Sequence, residues 1–332
     1  MVREASDETE AFAADVCWHY YVNGMTQADI AKHLDTTRLR VNQAIQKAKS
    51  LGIVKVQIDS PFSARIELQE ALRRELGIKR VQIGPARRDK YNYHTAVGAA
   101  LAAFLSDKIR SRAWKSIGVS WGMTLEAAIQ RLLPQTLPDL EIVSMLGGTM
   151  QGASFNSFSI ASGFAARFGA SYSLLAAPIF LSEGVDRDLF LSQQIFADHF
   201  AKFETLDAAI LTASDVSPRS FLVANGMQKS LAEDLMEAGA IGDVLGRFLD
   251  AEGRSIGHPI DERTIGVDLS VVERIPEKIL AAAGSHKIEI IRAASRRGLV
   301  DTLVTDDVTA ELLIEAATTS RSTKLAEASA ST

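Results

Sequence analysis

Residues 116–126 read Ser116-Ile117-Gly118-Val119-Ser120-Trp121-Gly122-Met123-Thr124-Leu125-Glu126. A short apolar run meets a glycine and then a helix-forming stretch, the order of a strand, a tight turn and a helix. Gly122 lets backbone amides approach a ligand, and Thr124 offers a helix cap and a hydroxyl. Free N–H groups at such a helix start favour an anion such as a phosphate. Taken alone the motif is weak, because many α/β proteins turn on glycine and bind nothing there. The pattern extends outward from it in both directions. Strands are expected at 80–84, 116–120, 141–146, 171–176, 208–213, 264–268, 278–282 and 301–305, and helices near 93–111, 123–133, 157–169, 187–202, 228–238, 287–297 and 307–318. Strands separated by helices in this way imply parallel βαβ units, hence a doubly wound, mostly parallel α/β sheet. A second glycine turn, Leu146-Gly147-Gly148-Thr149, follows the strand at 141–146 and falls at the same sheet edge, where ligands of such folds gather.

The N-terminal segment follows another rule. Residues 9–22 carry Phe12, Val16, Trp18, His19 and Tyr20 at helical spacing, and Asn23-Gly24 ends that helix. Trp18, Tyr20 and Tyr21 are expected in the core rather than as a stacking platform, and Cys17 as a packed thiol. Thr26-Gln27-Ala28-Asp29 reads as a capping box with Asp in place of Glu. Thr36-Thr37 caps a third helix reaching Ser50, and residues 53–59 alternate as a strand or wing. Two short capped helices, a tight turn and a wing make a winged helix-turn-helix. In the third helix Val41, Ala44, Ile45 and Ala48 share one face. Arg38, Arg40, Asn42, Gln43, Gln46 and Lys47 share the other, with Thr37 at its start. Arginine pairs with guanine and Asn or Gln with adenine, so this face suits operator DNA, with Thr37, Arg38, Arg40 and Lys47 also placed for phosphates. From Ile30 to Val56 six basic residues stand against the single acid Asp35, inside a chain of net charge −5.

The 332 residues divide into a small and a larger domain, and 47% hydrophobic content supplies a sizeable core. One cysteine excludes an intramolecular disulfide, and the six histidines never take metal-ligand spacing. No apolar run is long enough to span a bilayer, and the polar N-terminus carries no secretory signal, so a cytoplasmic protein without membrane contact is expected. The expected domains are 1–59 (DNA binding) and 60–319 (a linker helix at 62–77 and an α/β domain). A disordered tail is expected at 320–332.

The motifs YYVNGMTQADIAKHLDTTRLRVNQAIQKAKSLGIVKVQI, GVSWGMTL, GAIGDVLGRFLDAEG, IGVDL and ILAAAGSHKIEIIRAASRRGLVDTLVTDDVTAELL, in this order, resemble the SorC family of sugar-binding transcriptional regulators over nearly the whole chain. The resemblance implies an effector domain similar to sugar-phosphate isomerases, working as a ligand-gated switch in a dimer or tetramer. It assigns a phosphate cradle to Ser120, Gly122, Met123 and Thr124, a facing wall to Gly147 and Gly148, and a neighbouring place to Asn156. It assigns effector contacts to Asp243 and Lys287. The family often has a basic residue where this chain has Met123, which leaves a sugar, a polyol or a sugar phosphate open as effector.

The expected function is a DNA-binding regulator whose operator affinity depends on that effector, with no catalytic residue, metal or cofactor. The alternative is an isomerase or aldolase-like enzyme using Asp243, His286 or Lys287. The helix-turn-helix, which an isomerase does not need, separates the two readings. A third idea, a scaffold that oligomerises without sensing, is separated by ligand-dependent stabilisation.

Overall fold

The computed structural model describes residues 2–54, 60, 63–111, 114–149, 154–217, 220, 222 and 229–330. Helix α1 (Val2–Cys17) passes into a π-helical turn over Trp18–Val22. Thr26 caps α2 (Gln27–His33): its hydroxyl accepts from the Asp29 amide at 3.2 Å and donates to the Asp29 carboxylate at 2.6 Å. Asp35, at φ 45°, makes the turn, and Thr37 caps α3 (Arg38–Ser50) by accepting from the Arg40 amide at 3.2 Å. Ala13, Val16 and Cys17 of α1 close on Ile30, Ala31, Val41, Ala44, Ile45 and Ala48 to form this unit's own core. Cys17 is a buried thiol there, its pKa pushed up by burial.

The aromatic residues depart from expectation. Trp18 is 59% exposed and Tyr21 is exposed, while Tyr20 is partly buried against the core. The π turn explains this, because it breaks the 3.6-residue period on which the core assignment of these rings rested. The wing at 53–59 lies largely outside the described residues, which stop at 54 and resume at 60.

The chain divides into Met1–Ser63 and Ala64–Thr332, so the boundary falls a few residues beyond the expected 59. Linker helix α4 (Ser63–Leu76) buries Leu72 and packs Leu68 and Leu76 on the larger unit's core, while Gln69 Oε1 accepts from the Ile83 amide at 3.1 Å. Its Ile66 is exposed.

The larger unit then runs β1 (Arg80–Gly84), α5 (Tyr93–Arg110), β2 (Ser116–Val119), α6 (Met123–Ile129), β3 (Glu141–Ser144), α7 (Ser157–Phe168) and β4 (Ser171–Ser173). It continues with α8 (Arg187–Leu191), α9 (Gln194–Ala201), β5 (Ala208–Leu211), β6 (Ala213–Ser214), α10 (Lys229–Glu237), β7 (Gly242–Val244) and β8 (Arg247–Leu249). It ends with α11 (Ile260–Arg263), α12 (Leu269–Arg274), β9 (Glu277–Ala281), α13 (Ile288–Arg296), β10 (Thr302–Asp306) and α14 (Asp307–Ala330). Seven strands form one parallel sheet in the order β1-β10-β9-β5-β2-β3-β4. Alternate residues face opposite layers. Ile117, Val119, Ala208, Ile210, Ile279 and Ala281 join the core under α5, α6 and α7, while Ala209, Leu211, Leu280 and Leu303 join the core on the other face. This is the expected doubly wound α/β sheet.

Three details differ from the sequence reading. Residues 264–268 make only isolated bridges, Leu146↔Gly266 and Phe180↔Thr264, rather than a strand. A small antiparallel sheet, β6-β7-β8, extends from the end of β5 and holds Asp243 opposite Ser214. The last helix continues to Ala330 where a disordered tail is expected from 320. After Gly298 the sequence has neither glycine nor proline to stop it, and residues 320–330 are rich in helix formers. No helix among the described residues is long and apolar enough to cross a membrane.

Candidate functional site

The sheet order fixes where an open crevice lies. From β2 the chain winds outward through β3 and β4, then returns to place β5 on the other side of β2 and continues to β9 and β10. The winding direction reverses between β2 and β5, and in such folds the crevice at the carboxyl ends of the two diverging strands is the binding place. A cavity of about 250 Å³ opens there. Ligand sites for drug-sized molecules run to roughly 300–1,000 Å³, so this one suits something smaller.

After β2 come Trp121, Gly122, Met123 and Thr124, all at the cavity wall. Gly122 has φ 116°, a conformation that side chains with a Cβ rarely adopt, and its amide donates to Phe155 O at 2.8 Å. Thr124 does not cap α6. Its hydroxyl shares a 2.9 Å hydrogen bond with His94 Nδ1 from α5. Ser120 is fully buried just beneath, its hydroxyl 3.2 Å from that of Thr212, which in turn donates to Trp121 O at 2.8 Å. Thr212, Ser214 and Asp215 line the β5 side.

Two charged groups come from distant parts of the chain. Asp243, on β7, is buried; the Ser214 hydroxyl donates to one of its oxygens and the Gly246 amide to the other at 2.9 Å. Burial pushes its pKa up to about 6, against the pull of those two donors and Lys287; Asp215 pushes it further up. Lys287 ends a 3₁₀ turn, Ser285–Lys287, entered through Gly284 at φ 112°, where an added Cβ would meet the His286 ring at 2.5 Å. Burial lowers the lysine to about 8, opposed by Asp215 and Asp243. Its ammonium lies 5.8 Å from the centre of the Tyr93 ring and makes no hydrogen bond among the described residues. Burial, then Lys287 and His286, depress His94 to about 4, so this imidazole is neutral at physiological pH.

Gly122, Met123, Thr124, Asp243 and Lys287 are therefore gathered around one cavity, with Ser120 directly behind its wall. Gly147, Gly148 and Asn156 are not among its lining residues. The two glycines serve close packing: a Cβ on Gly147 would lie 2.6 Å from Ala177 O, and one on Gly148 would lie 2.7 Å from the Phe158 ring. Asn156 caps α7, its Oδ1 accepting from the amides of Phe158 and Ser159 at 3.0 Å each. Sequence reasoning missed Tyr93, His94, Phe155, Thr212, Ser214, Asp215, Ser220 and Leu222 at the wall. The Tyr93-His94 start of α5 was the one available signal, being polar aromatics at the amino end of the greasiest helix.

In the smaller unit Thr37, Arg38, Arg40, Asn42, Gln43, Gln46 and Lys47 are all exposed on α3. Arg40 is not free on that face, since its guanidinium lies over the Phe12 ring at 4.9 Å. Arg38 borders a groove with Tyr20, Tyr21 and Gln27, and Gln46 borders another with Lys49 and the same tyrosines.

Residues 60–315 match the family model described as "Putative sugar-binding domain". The chain belongs to this sugar-binding domain family. Among curated proteins it is 29% identical over 311 residues to the erythritol catabolism regulatory protein EryD of Brucella abortus, covering 93% of this chain and 98% of the relative. It is 28% identical over 310 residues to the transcriptional regulator LsrR of Escherichia coli K12, covering 92% and 95%. The fold of this family member matches the full-length sorbitol operon regulator SorC of Klebsiella pneumoniae with a TM-score of 0.71 at 23% identity, over 92% of this chain and 99% of the other. It matches a DeoR family transcriptional regulator of Listeria monocytogenes with a TM-score of 0.70 at 24% identity, over 76% and 100%. The SorC-type resemblance read from the sequence holds.

Proposed function

We propose that this chain is a cytoplasmic DNA-binding transcription regulator, whose operator affinity is set by a small polyhydroxylated effector in the cavity between β2 and β5. It acts as a homo-oligomer, a dimer or tetramer, because a single copy of α3 offers too little surface for a specific operator site. The observation that carries the effector half is the buried pair Asp243 and Lys287 facing an open cavity at the reversal point of the sheet. A carboxylate accepts from hydroxyls and an ammonium donates to their oxygens, and a ligand lacking the matching hydroxyls leaves both groups unpaired. The exposed face of α3 supports the DNA half. The relatives' names as regulators support the whole, with the ligand released unaltered.

A thermal-shift screen of sugars, polyols and their phosphates tests this. A true effector at a hundred times its Kd stabilises by about 2.7 kcal/mol, roughly 5 °C for a unit of this size. Asp243→Ala and Lys287→Ala remove most of the shift, and proton NMR shows the ligand unchanged after incubation. Turnover of the ligand contradicts the regulatory reading in favour of the enzyme. A full shift in both variants moves the site elsewhere.

A further inference from the structure

The charges around the cavity narrow the ligand class. Its described lining residues carry two carboxylates, Asp215 and Asp243, and one ammonium, Lys287. Two imidazoles, His94 and His286, and the Tyr93 phenol are the other titratable groups among those described residues. Lys287 is the only lysine or arginine among them, and both carboxylates act on it electrostatically. At the first turn of α6, where a cation would meet a phosphate, stands the half-exposed thioether of Met123. The Gly122 amide, which would otherwise point at an anion, is engaged by Phe155 O. Hydroxyls and ring faces make up much of the remaining wall: Thr124, Thr212, Ser214 and Ser220 with Trp121, Tyr93 and Phe155.

We infer that the cavity takes an uncharged polyol and rejects the phosphate ester of the same polyol, with Asp215 as the residue that sets this preference. The inference rests on the proposed effector role of the cavity and sharpens it. A phosphate monoester brings close to two negative charges at neutral pH. Among the described lining residues one ammonium, shared between two carboxylates, balances them poorly in a partly desolvated site, whereas hydroxyls can bond both signs of charge. Asp215 is the adjustable member of the trio. Asp243 is fixed by Ser214 and Gly246, while Asp215 sits half-buried at the wall.

The test is isothermal titration of the full-length protein at about pH 7.5, where the phosphate is nearly dianionic. The probes are linear alditols of four, five and six carbons, and the same alditols phosphorylated on one terminal hydroxyl. The expected result is that the best alditol binds wild type about tenfold or more tightly than its phosphate. Asp215→Asn and, independently, Met123→Lys each narrow that ratio by about threefold or more. Equal or tighter binding of the phosphate by wild type overturns the inference and leaves the cavity as the effector site. A ratio that neither variant moves also overturns it. Failure of both ligand sets to bind wild type overturns the proposed site together with the inference.

Discussion

Lys278 and Lys287 lie toward opposite ends of the same parallel sheet and are almost equally hidden, at 6% and 8% exposure. Their surroundings differ completely. Lys278 Nζ meets Asp301 Oδ2 at 2.8 Å and donates to Ile275 O at 3.0 Å. Asp301 also accepts from the Lys278 amide and pairs with Lys79, both at 2.9 Å. Burial raises the Asp301 carboxyl, but these bonds outweigh it and hold the group below the usual carboxylate range. The Lys287 ammonium has no hydrogen bond among the described residues and lines a cavity, with Asp215 and Asp243 as its charged company. Burial of a cation therefore does not mark a site; an unmet donor facing an open space does.

The contrast predicts opposite mutational behaviour. Lys278→Ala leaves the buried Asp301 carboxylate with only Lys79 and one backbone amide, and costs about 2–3 kcal/mol in urea denaturation, without changing effector affinity in whatever folded fraction remains. Lys287→Met removes a poorly compensated charge and changes stability by about 1 kcal/mol or less, while effector binding falls by more than tenfold. If Lys287→Met destabilises as much as Lys278→Ala, the lysine is structural and the comparison collapses.

The same distinction divides two arginines on α3. Arg40 is engaged with Phe12, whereas Arg38 borders the exposed groove. Arg38→Ala is expected to weaken operator binding by about 1–3 kcal/mol and relax specificity at one position. Arg40→Ala acts partly through the loss of its ring contact, about 0.5–1 kcal/mol of unit stability. Fluorescence anisotropy with operator DNA, alongside melting of both variants, separates the two effects. Equal loss of DNA affinity with no change in melting for Arg40→Ala places it on the DNA after all.

The pH dependence sharpens the account of Lys287. Effector binding needs ionised Asp243 and protonated Lys287, so affinity is greatest between about 6 and 8 and falls on either side. His94, at about 4, stays neutral through that window, and Tyr93, Asp215 and His286 are the other titratable neighbours among the described lining residues. Stability moves differently. The raised pKa of Asp243 means the folded chain holds the extra proton between 3.8 and about 6, so this group's contribution to stability falls as pH rises through that range. The lowered pKa of Lys287 means the unfolded chain holds the extra proton between about 8 and 10.5, so its contribution improves as pH rises there. Asp243→Asn and Lys287→Met each flatten their own limb in chemical denaturation followed across pH. A limb that persists in its variant belongs to another group.

The local parts of this design were legible in the sequence. Thr26 and Thr37 announced their helix starts, the apolar runs announced the parallel strands, and Gly122 marked the turn at the cavity wall. Gly147 and Gly148 looked equivalent to it, because a sequence does not tell a glycine needed for a ligand from one needed for a neighbouring chain segment. Asp215, Phe155 and Tyr93 were hidden for a different reason. They reach the cavity only through the reversal of strand order at β2 and β5, a long-range property that no local pattern encodes. Trp18 and Tyr21 were misplaced because a single π turn undid the helical period. Asp243 and Lys287 came from the family resemblance, and the structure supplies the physical setting that resemblance lacked.

The most direct test of the central claim is a titration of operator DNA, taken from the region upstream of the gene, with and without a saturating thermal-shift ligand, on wild type and Lys287→Met. The ligand is expected to change the wild-type operator Kd by about tenfold or more, since a switch can respond only through different ligand affinities of its two states. Lys287→Met is expected to bind the operator without ligand and to show no such change. An undiminished ligand response in Lys287→Met, or a wild-type operator Kd indifferent to a ligand that stabilises the protein, contradicts the effector role of this cavity.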